Sequence, residues 1–416
     1  MKSMVKHPEL AGEGRLLVDW AEAHMPAIRE ITREYEAKRP LEGLTVSACL
    51  HVTKETGVLA KALKALGAEV ALAASNPLTT QDGVAAHLSE VGVNVFAWRG
   101  ETTEEYFSCI SRILDFEPSV VIDDGGDAHI YVHEERPKLI EGIVGGTEET
   151  TTGVTRLRAL SKAGQLGYPV IAVNDAETKR ILDNTYGTGQ STIDGIMRAT
   201  SILIAGKTLV VCGFGRVGRG IALRARGMGA NVVVTEVNPL TALEAHVEGF
   251  RVMPLGEAAG VGDIFVTATG QVDVIRGEHL EAMKSGAILA NSGHFNVEVS
   301  LKDLEELSVG KRRVRENVEE YALRDGRKLY LLAEGRLVNL AAAEGHPPEV
   351  MMCSFANQLL SVLHLVDEGR GMKPDVYKVP EEIDGRVAEF TLRGWEIEID
   401  SLTEKQIKYA ETWRVE

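Results

Sequence analysis

Short apolar runs alternate with amphipathic stretches along most of this chain. The first series of runs lies at 45–50, 70–73, 93–98 and 120–122, with helical patterns between them. Across 55–66, for example, Val58, Leu59, Ala62, Leu63 and Leu66 share one stripe of a 3.6-residue period. A second series occupies 208–212, 231–235, 263–267 and 287–290. Strands that alternate with helices form a parallel sheet covered on both faces. The pattern therefore predicts an α/β fold of two doubly wound, Rossmann-like domains. After Gly335 it turns helical over 349–366, loop-like over 369–379, and ends in a stretch at 381–416 that reads as a small appendage.

Composition supports two cores rather than one, because 416 residues with 44% hydrophobic side chains exceed what a single core organises. A formal net charge of −16 argues against nucleic acid or an anionic membrane as partner. The one basic cluster, Lys311, Arg312, Arg313 and Arg315, is broken by Val314 and reads as a solvated strand edge. Charges stand where a signal peptide would need an apolar run, and no 18 apolar residues follow one another, so a soluble cytoplasmic protein is expected. Cys49, Cys109, Cys212 and Cys353 lie far apart without metal-ligand spacing, which suits a reducing compartment and no structural metal.

The run at 208–212 ends in Gly213-Phe214-Gly215-Arg216-Val217-Gly218, and the run at 231–235 ends in Glu236. Strand, glycine turn, helix, strand and acid in this order form the dinucleotide-binding fingerprint. Gly213 and Gly215 let the turn close and the backbone approach a pyrophosphate at the helix N-terminus. Glu236 would accept both ribose hydroxyls and repel a 2′-phosphate, which favours NAD over NADP.

Polar residues gather where the other runs end: His51 to Glu55, Asp123 to Asp127, and Glu148 to Gly153. Each has a plain reading: Thr53 as an N-cap, Asp123 and Asp124 as turn residues, the threonines as a helix start. Together, with glycines that permit close approach, they suit one pocket beyond the carboxyl ends of the strands. The segment 174–184 reads as a helix capped by Asn174 or Asp175, with Lys179 and Asp183 on one face. That pair is either a surface ion pair or, on a helix running toward the NAD domain, a desolvated lysine able to take a hydroxyl proton. The residues alone thus point to an NAD enzyme that oxidises a secondary alcohol.

Seven segments follow in one order: DDGGD at 123–127, EETTTG at 148–153, NDAETKRILDN at 174–184, the glycine turn at 213–218, NSGHF at 291–295, LAEGRLVN at 332–339 and GHP at 345–347. In their order and spacing the chain resembles the S-adenosylhomocysteine hydrolases over 20–413. In that family tightly held NAD⁺ oxidises the ribose 3′-hydroxyl, which acidifies the C4′ hydrogen. Homocysteine leaves C5′, water adds, and the ketone is reduced again, with no net redox change. The resemblance implies that Lys179, Asp183, Asn184 and Glu149 hold and deprotonate the 3′-hydroxyl and that Asp124 is the base at C4′. His51, with His294 as partner, would handle protons at C5′. Thr53 and Glu55 would face the purine, Glu55 accepting from the 6-amino group while neighbouring Lys54 points elsewhere, and His346 would close that end. On the cofactor, Thr150, Thr151 and Thr152 would reach across from the substrate domain, joined by Asn184, Gly293 and, at the nicotinamide, Asn339. His294 and Phe295 resemble the family's gate over the homocysteine channel.

Three departures stand out. Thr188 replaces a family cysteine, and Thr241 stands where many members have an asparagine near the NAD adenosine ribose. The longer members' lysine- and tyrosine-bearing tail, which reaches a neighbour's NAD site, has no counterpart before Glu416, which leaves NAD affinity and exchange open. The resulting expectation is a substrate-binding domain at 1–185 completed by 345–378, an NAD domain at 186–344, and an oligomerisation appendage at 379–416 in a homotetramer. Substrates would be S-adenosylhomocysteine, adenosine and homocysteine. The same chemistry on S-inosylhomocysteine and a non-catalytic NAD-binding relative are the alternatives.

Overall fold

Strands buried on both faces read as unbroken hydrophobic stretches, and this is why the apolar runs fold into parallel sheets. The computed structural model describes residues 3–293 and 295–413. The first sheet holds β1 (Thr45–Cys49), β2 (Glu69–Ala73), β3 (Asn94–Phe96), β4 (Val120–Asp123), β5 (Gly145–Glu148) and β6 (Val170–Ala172). The second holds β7 (Thr208–Cys212), β8 (Asn231–Thr235), β9 (Arg251–Val252), β10 (Ile264–Thr267), β11 (Ile288–Asn291), β12 (Ser308–Arg315), β13 (Val318–Leu323) and β14 (Lys328–Leu332). A last strand, β15 (Val376–Lys378), returns to the first sheet and pairs in parallel with β6, so the loop-like stretch at 369–379 contains a strand.

In the strand orders β15-β6-β5-β4-β1-β2-β3 and β12-β13-β14-β11-β10-β7-β8-β9, the parallel strands of each sheet reverse direction of order once. In the first sheet the reversal separates β1 from β4, with Cys49 opposite Asp123. In the second it separates β7 from β10, with Cys212 opposite Thr267. At such switch points the loops diverge and leave a crevice for a ligand. β12 and β13 extend the second sheet as an antiparallel hairpin, in which Lys311 meets Glu319 at 3.0 Å and Arg312 meets Glu320 at 2.8 Å. These cross-strand pairs leave the basic cluster as a charged outer edge.

The helix Pro348–Glu368 is long and apolar enough to cross a membrane by composition, but it is packed inside the first domain's core. The helix Glu381–Gly394 contributes Val387 and Phe390 to that same core, so only the stretch after it stands away from the domain as a largely exposed extension. A helical run from 177 to 200 leads from the first domain into the second, where Ile193, Ile196 and Ala199 join the core. It lies backbone to backbone against the helix Arg216–Gly227. A Cβ on Gly220 would fall 1.8 Å from the carbonyl oxygen of Thr185, and one on Gly189 would fall 2.5 Å from the carbonyl carbon of Gly220.

Neither Asn174 nor Asp175 caps the start of that run. Its first helical turn begins after Ala176, and the cap comes from Asp384, which accepts from the Glu177 amide at 2.6 Å, the Thr178 amide at 3.1 Å and the Thr178 hydroxyl. Removing a capping side chain costs about 1–2 kcal/mol. Asp384→Ala is therefore expected to lower the Tm, with partial recovery in Asp384→Asn; an unchanged Tm in Asp384→Ala would mean that water satisfies these amides equally well.

Candidate active site

Because β1 and β4 are neighbours, the loops leaving their ends bring His51 and Asp124 together, with His51 Nε2 3.6 Å from Asp124 Oδ2. The other ring nitrogen, Nδ1, lies 2.8 Å from Thr79 Oγ1. Burial, with a contribution from His346, pulls the imidazole down to about 4, so the ring is neutral at pH 7. Two carboxyls support the Asp124 turn from below. Asp123 accepts from the Asp124 amide at 2.9 Å, and Glu148 accepts from the Gly125 and Thr150 amides, each at 2.9 Å. Burial pushes both above the ordinary carboxylate range. His129 lies beside them, but its nitrogens contact Tyr168 Oη at 2.9 Å and the Thr147 carbonyl at 3.2 Å, so this trio is a hydrogen-bonded support.

Lys179 sits where the helical run widens into π-helix at Arg180–Gly187, a distortion frequent at functional sites. Its ammonium reaches Asn184 Oδ1 at 2.9 Å, Asn174 Oδ1 at 3.3 Å and Asp183 Oδ1 at 3.4 Å. Desolvation did not neutralise it, contrary to the sequence expectation. Burial does pull the amine down, but Asp183, Glu149 and Asp124 outweigh it and hold the pKa above its ordinary value. Burial likewise pushes Asp183 up, while Lys179 and His346, whose Nδ1 is 3.4 Å away, hold the carboxyl well below its usual range. Glu149 behaves oppositely: burial raises it to about 7 although Lys179 opposes the shift. Ser354 and Gln358, one turn apart on the helix Pro348–Glu368, donate to its two oxygens, Gln358 at 2.6 Å.

At the other end, Thr53 stands at the N-cap of the helix Lys54–Ala65 but makes no capping bond, so the plain reading of its hydroxyl fails. Glu55 is buried, and its acidity is weakened by that burial. Lys54 does not point elsewhere: its Nζ is 3.2 Å from Glu55 Oε1 and 3.2 Å from Glu344 Oε2. His346 closes this region through a 3.2 Å contact from Nε2 to Thr188 Oγ1. One cavity of about 790 Å³ runs from Glu55 past His51 and Lys179 to Gly215, Thr269 and Asn339.

The far wall of the cavity is the glycine turn. Gly213 adopts φ +96°, and a Cβ on Gly218 would meet the Gly213 carbonyl oxygen at 1.9 Å. The helix Arg216–Gly227 begins there with no side-chain cap, so its first amides are available to an anion, and Arg216 and Val217 line the cavity. Glu236 folds back over the turn, accepting from Phe214 N at 2.8 Å, Val237 N at 2.7 Å and Asn238 N at 2.9 Å. Asn339 donates to Ser191 Oγ at 3.2 Å, while its buried Oδ1 has no partner among the described residues. Of the three threonines, Thr150 caps its helix as a plain helix start would, donating its hydroxyl to Glu148 at 2.9 Å. Thr151 donates to Asn174 at 3.2 Å, and all three line the cavity, as do Gly293 and Phe295. His294 lies outside the described residues.

A family model described as S-adenosyl-L-homocysteine hydrolase matches residues 2–139, and one described as that enzyme's NAD binding domain matches 184–345. The adenosylhomocysteinase of Sulfurisphaera tokodaii is 59% identical over 414 residues, covering 100% of this chain and 99% of its own. The chain belongs to the S-adenosyl-L-homocysteine hydrolase family. Another relative, the S-inosyl-L-homocysteine hydrolase of Methanopyrus kandleri, is 56% identical over 410 residues, 98% of this chain and 97% of its own. A dipicolinate synthase chain from Bacillus halodurans shares the fold alone, with a TM-score of 0.50 at 16% identity over 79% of this chain and 99% of that one. The chain is an enzyme of its family, and NAD is its cofactor. The residues present fit that group, since the glycine cradle, the uncapped helix and the buried Asn339 oxygen all border one cavity.

The sequence pattern assigns no role to Thr79, Ser354, Gln358 and Asp384, and it includes Asn291 only as the first residue of the segment 291–295. Ser354 and Gln358 left a signal, two polar residues four apart in an apolar helix. Asn291 ties two loops together, its Nδ2 lying 2.8 Å from the carbonyls of both Phe295 and Gly335.

Glu149 generates a pH prediction. An acid raised by folding from its usual 4.5 to about 7 holds its proton longer in the folded chain, so its stabilising effect is lost as pH rises through that window. Glu149→Gln does not titrate. With NAD bound, the Tm of the variant relative to wild type should rise between those two pH values, and a flat difference would place the Glu149 pKa at its ordinary value.

Proposed function

We propose that this enzyme hydrolyses S-adenosyl-L-homocysteine reversibly to adenosine and L-homocysteine. The carrying observation is the shared cavity, which has the charged Lys179 cluster at its middle, the His51 and Asp124 pair beside it and the NAD turn at its end. When bound, NAD supplies reversible oxidation at the ribose 3′ carbon. Lys179 and Asn184 hold the 3′-oxygen, Asp183 keeps the ammonium charged, and Glu149, tuned near neutrality, receives the hydroxyl proton. Asp124 takes the C4′ proton once the neighbouring carbon is a ketone. His51 transfers protons at C5′, with His294 as partner, and Phe295 screens the exit. Glu236, Gly213, Gly215, the amides of Arg216, Val217 and Gly218, and Thr150, Thr151, Thr152, Asn184 and Gly293 would hold the cofactor, with Asn339 at its nicotinamide side.

A second reading, use of S-inosyl-L-homocysteine, is favoured by Lys54. Glu55 alone offers a 6-amino group an acceptor and repels a 6-oxo group. With Lys54 Nζ at 3.2 Å from Glu55, a donor stands beside the acceptor and either purine finds a complement. In the same reading the enzyme is a cytoplasmic homo-oligomer, a tetramer as in the family resemblance. An exposed apolar stripe, Leu240, Leu243 and Val247 on the helix Pro239–Val247, supports such association. Light scattering at the mass of a single 45.1 kDa chain would remove that part.

Free-thiol release from both S-nucleosyl homocysteines tests the function. Wild type should hydrolyse the adenosyl substrate, and loss of the Lys179 ammonium, a preorganised charged donor to the 3′-oxygen, in Lys179→Ala should slow it roughly 10²- to 10³-fold. In Lys54→Met the inosyl rate should fall relative to the adenosyl rate by about tenfold or more, since a charged hydrogen bond is worth about 1.5–3 kcal/mol. No thiol from either substrate would sink the proposal; an unchanged ratio in Lys54→Met would remove Lys54 from purine choice.

A further inference from the structure

The turn after β2 passes beneath His51 and brings Thr79, buried in the wall, against its ring. A threonine hydroxyl has one proton to give. Thr79 Oγ1 lies 3.1 Å from the carbonyl oxygen of Asn76 and 2.8 Å from His51 Nδ1. A carbonyl oxygen can only accept, so a hydroxyl proton directed at Asn76 leaves the Thr79 oxygen to accept from Nδ1–H. The acceptor carbonyl is itself held, because the Asn76 side chain takes the Leu78 amide at 2.9 Å and the Thr79 amide returns to the Asn76 carbonyl at 3.4 Å. The backbone of His51 is fixed as well, its carbonyl accepting from the Thr56 hydroxyl at 2.5 Å and from the Thr53 amide at 2.9 Å.

We propose that Thr79 is a positioning residue that fixes the ring tautomer of His51, leaving Nε2 as the bare nitrogen that faces Asp124 and the cavity. A neutral imidazole carries one N–H, and which nitrogen bears it is set by the hydrogen bond at the other. Nε2 stands 3.6 Å from Asp124 Oδ2, beyond direct hydrogen bonding, so the two groups act on a substrate between them rather than on each other. The low basicity of the buried ring agrees with a neutral imidazole at rest.

The inference rests on the reading of His51 as the proton-transfer group at C5′, and it sets the order of transfers there. A bare Nε2 has no proton to give a departing thiolate, so homocysteine leaves as the anion, with the C–S electron pair. Water then attacks C5′: its oxygen bonds to carbon, one of its protons goes to Nε2, and the electron pair of the C4′=C5′ bond moves to C4′. C4′ recovers the proton that Asp124 took. The proton gained by His51 neutralises the thiolate, and Nε2 is bare again.

Nitrogen-15 NMR of the NAD-loaded enzyme labelled at histidine reads the tautomer directly, with the His51 signal identified by its loss in His51→Asn. In wild type Nδ1 should be protonated and Nε2 bare. Thr79→Val should lose this preference and slow hydrolysis roughly tenfold or more, while reduction of bound NAD by added adenosine, the 3′ step, proceeds as in wild type. Thr79→Ser should restore both tautomer and rate. A protonated Nε2 in wild type overturns the proposal, as does an unchanged tautomer in Thr79→Val; if that variant fails to fold, the wild-type spectrum decides. The expected spectrum with undiminished hydrolysis in His51→Asn would instead overturn the role of His51 and leave the tautomer assignment standing.

Discussion

One buried ammonium organises this site. Asp183 and Glu149 both lie beneath the surface, and a buried carboxylate without a compensating charge costs several kcal/mol. Lys179 supplies that charge, and its field divides unequally. Asp183, touching it and assisted by His346, stays ionised, whereas Glu149, held by Ser354 and Gln358, is left close to its protonation midpoint at neutral pH. Two acids sharing one cation thus acquire different tasks, a fixed anion and a group that can exchange a proton. Withdrawing the cation would leave both unsupported, so the geometry of this part of the cavity depends on it.

The two halves of the protein apply the same device twice. The parallel strands of each sheet reverse their order once, and each such reversal opens a crevice at the carboxyl ends of the strands. The first crevice presents side chains, His51 and Asp124, on loops braced by buried carboxyls. The second presents backbone amides at a helix end. The difference suits what each must hold: reacting carbons need proton donors and acceptors at defined atoms, and a pyrophosphate needs a concentration of partial positive charge.

Much of this was legible in the sequence because burial on both faces marks parallel strands and because the glycine turn is followed by an acid at the next strand end. β7, β8, β10 and β11 fall where the apolar runs lie, and the polar clusters do converge. The parts that were not legible have physical reasons. β5 is built from Gly145, Gly146, Thr147 and Glu148, which reads as a turn; its glycines serve close packing, with a Cβ on Gly146 falling 2.3 Å from the His129 ring. β15 has three residues and pairs with a strand some two hundred positions upstream, and the cap from Asp384 spans a similar separation, so no local pattern announces either. A lysine at a helix start is ordinarily solvated, but Glu55 and Glu344 draw Lys54 inward here. Burial alone would neutralise Lys179, and two of the carboxylates that keep it charged, Glu149 and Asp124, come from distant segments that no local pattern connects to it.

The backbone-to-backbone contact between the helical run bearing Lys179 and the helix Arg216–Gly227 has a consequence in terms of mechanical tolerance. Side chains usually separate packed helices and can change rotamer to absorb small errors. At Thr185, Gly189 and Gly220 there is nothing between the two backbones to do so. The run is held by Asp384 at one end and embedded in the second core at the other, so the Lys179 ammonium and the first amides of the helix Arg216–Gly227 are joined through this contact. Their separation is set by main-chain van der Waals radii, the least adjustable length in a protein.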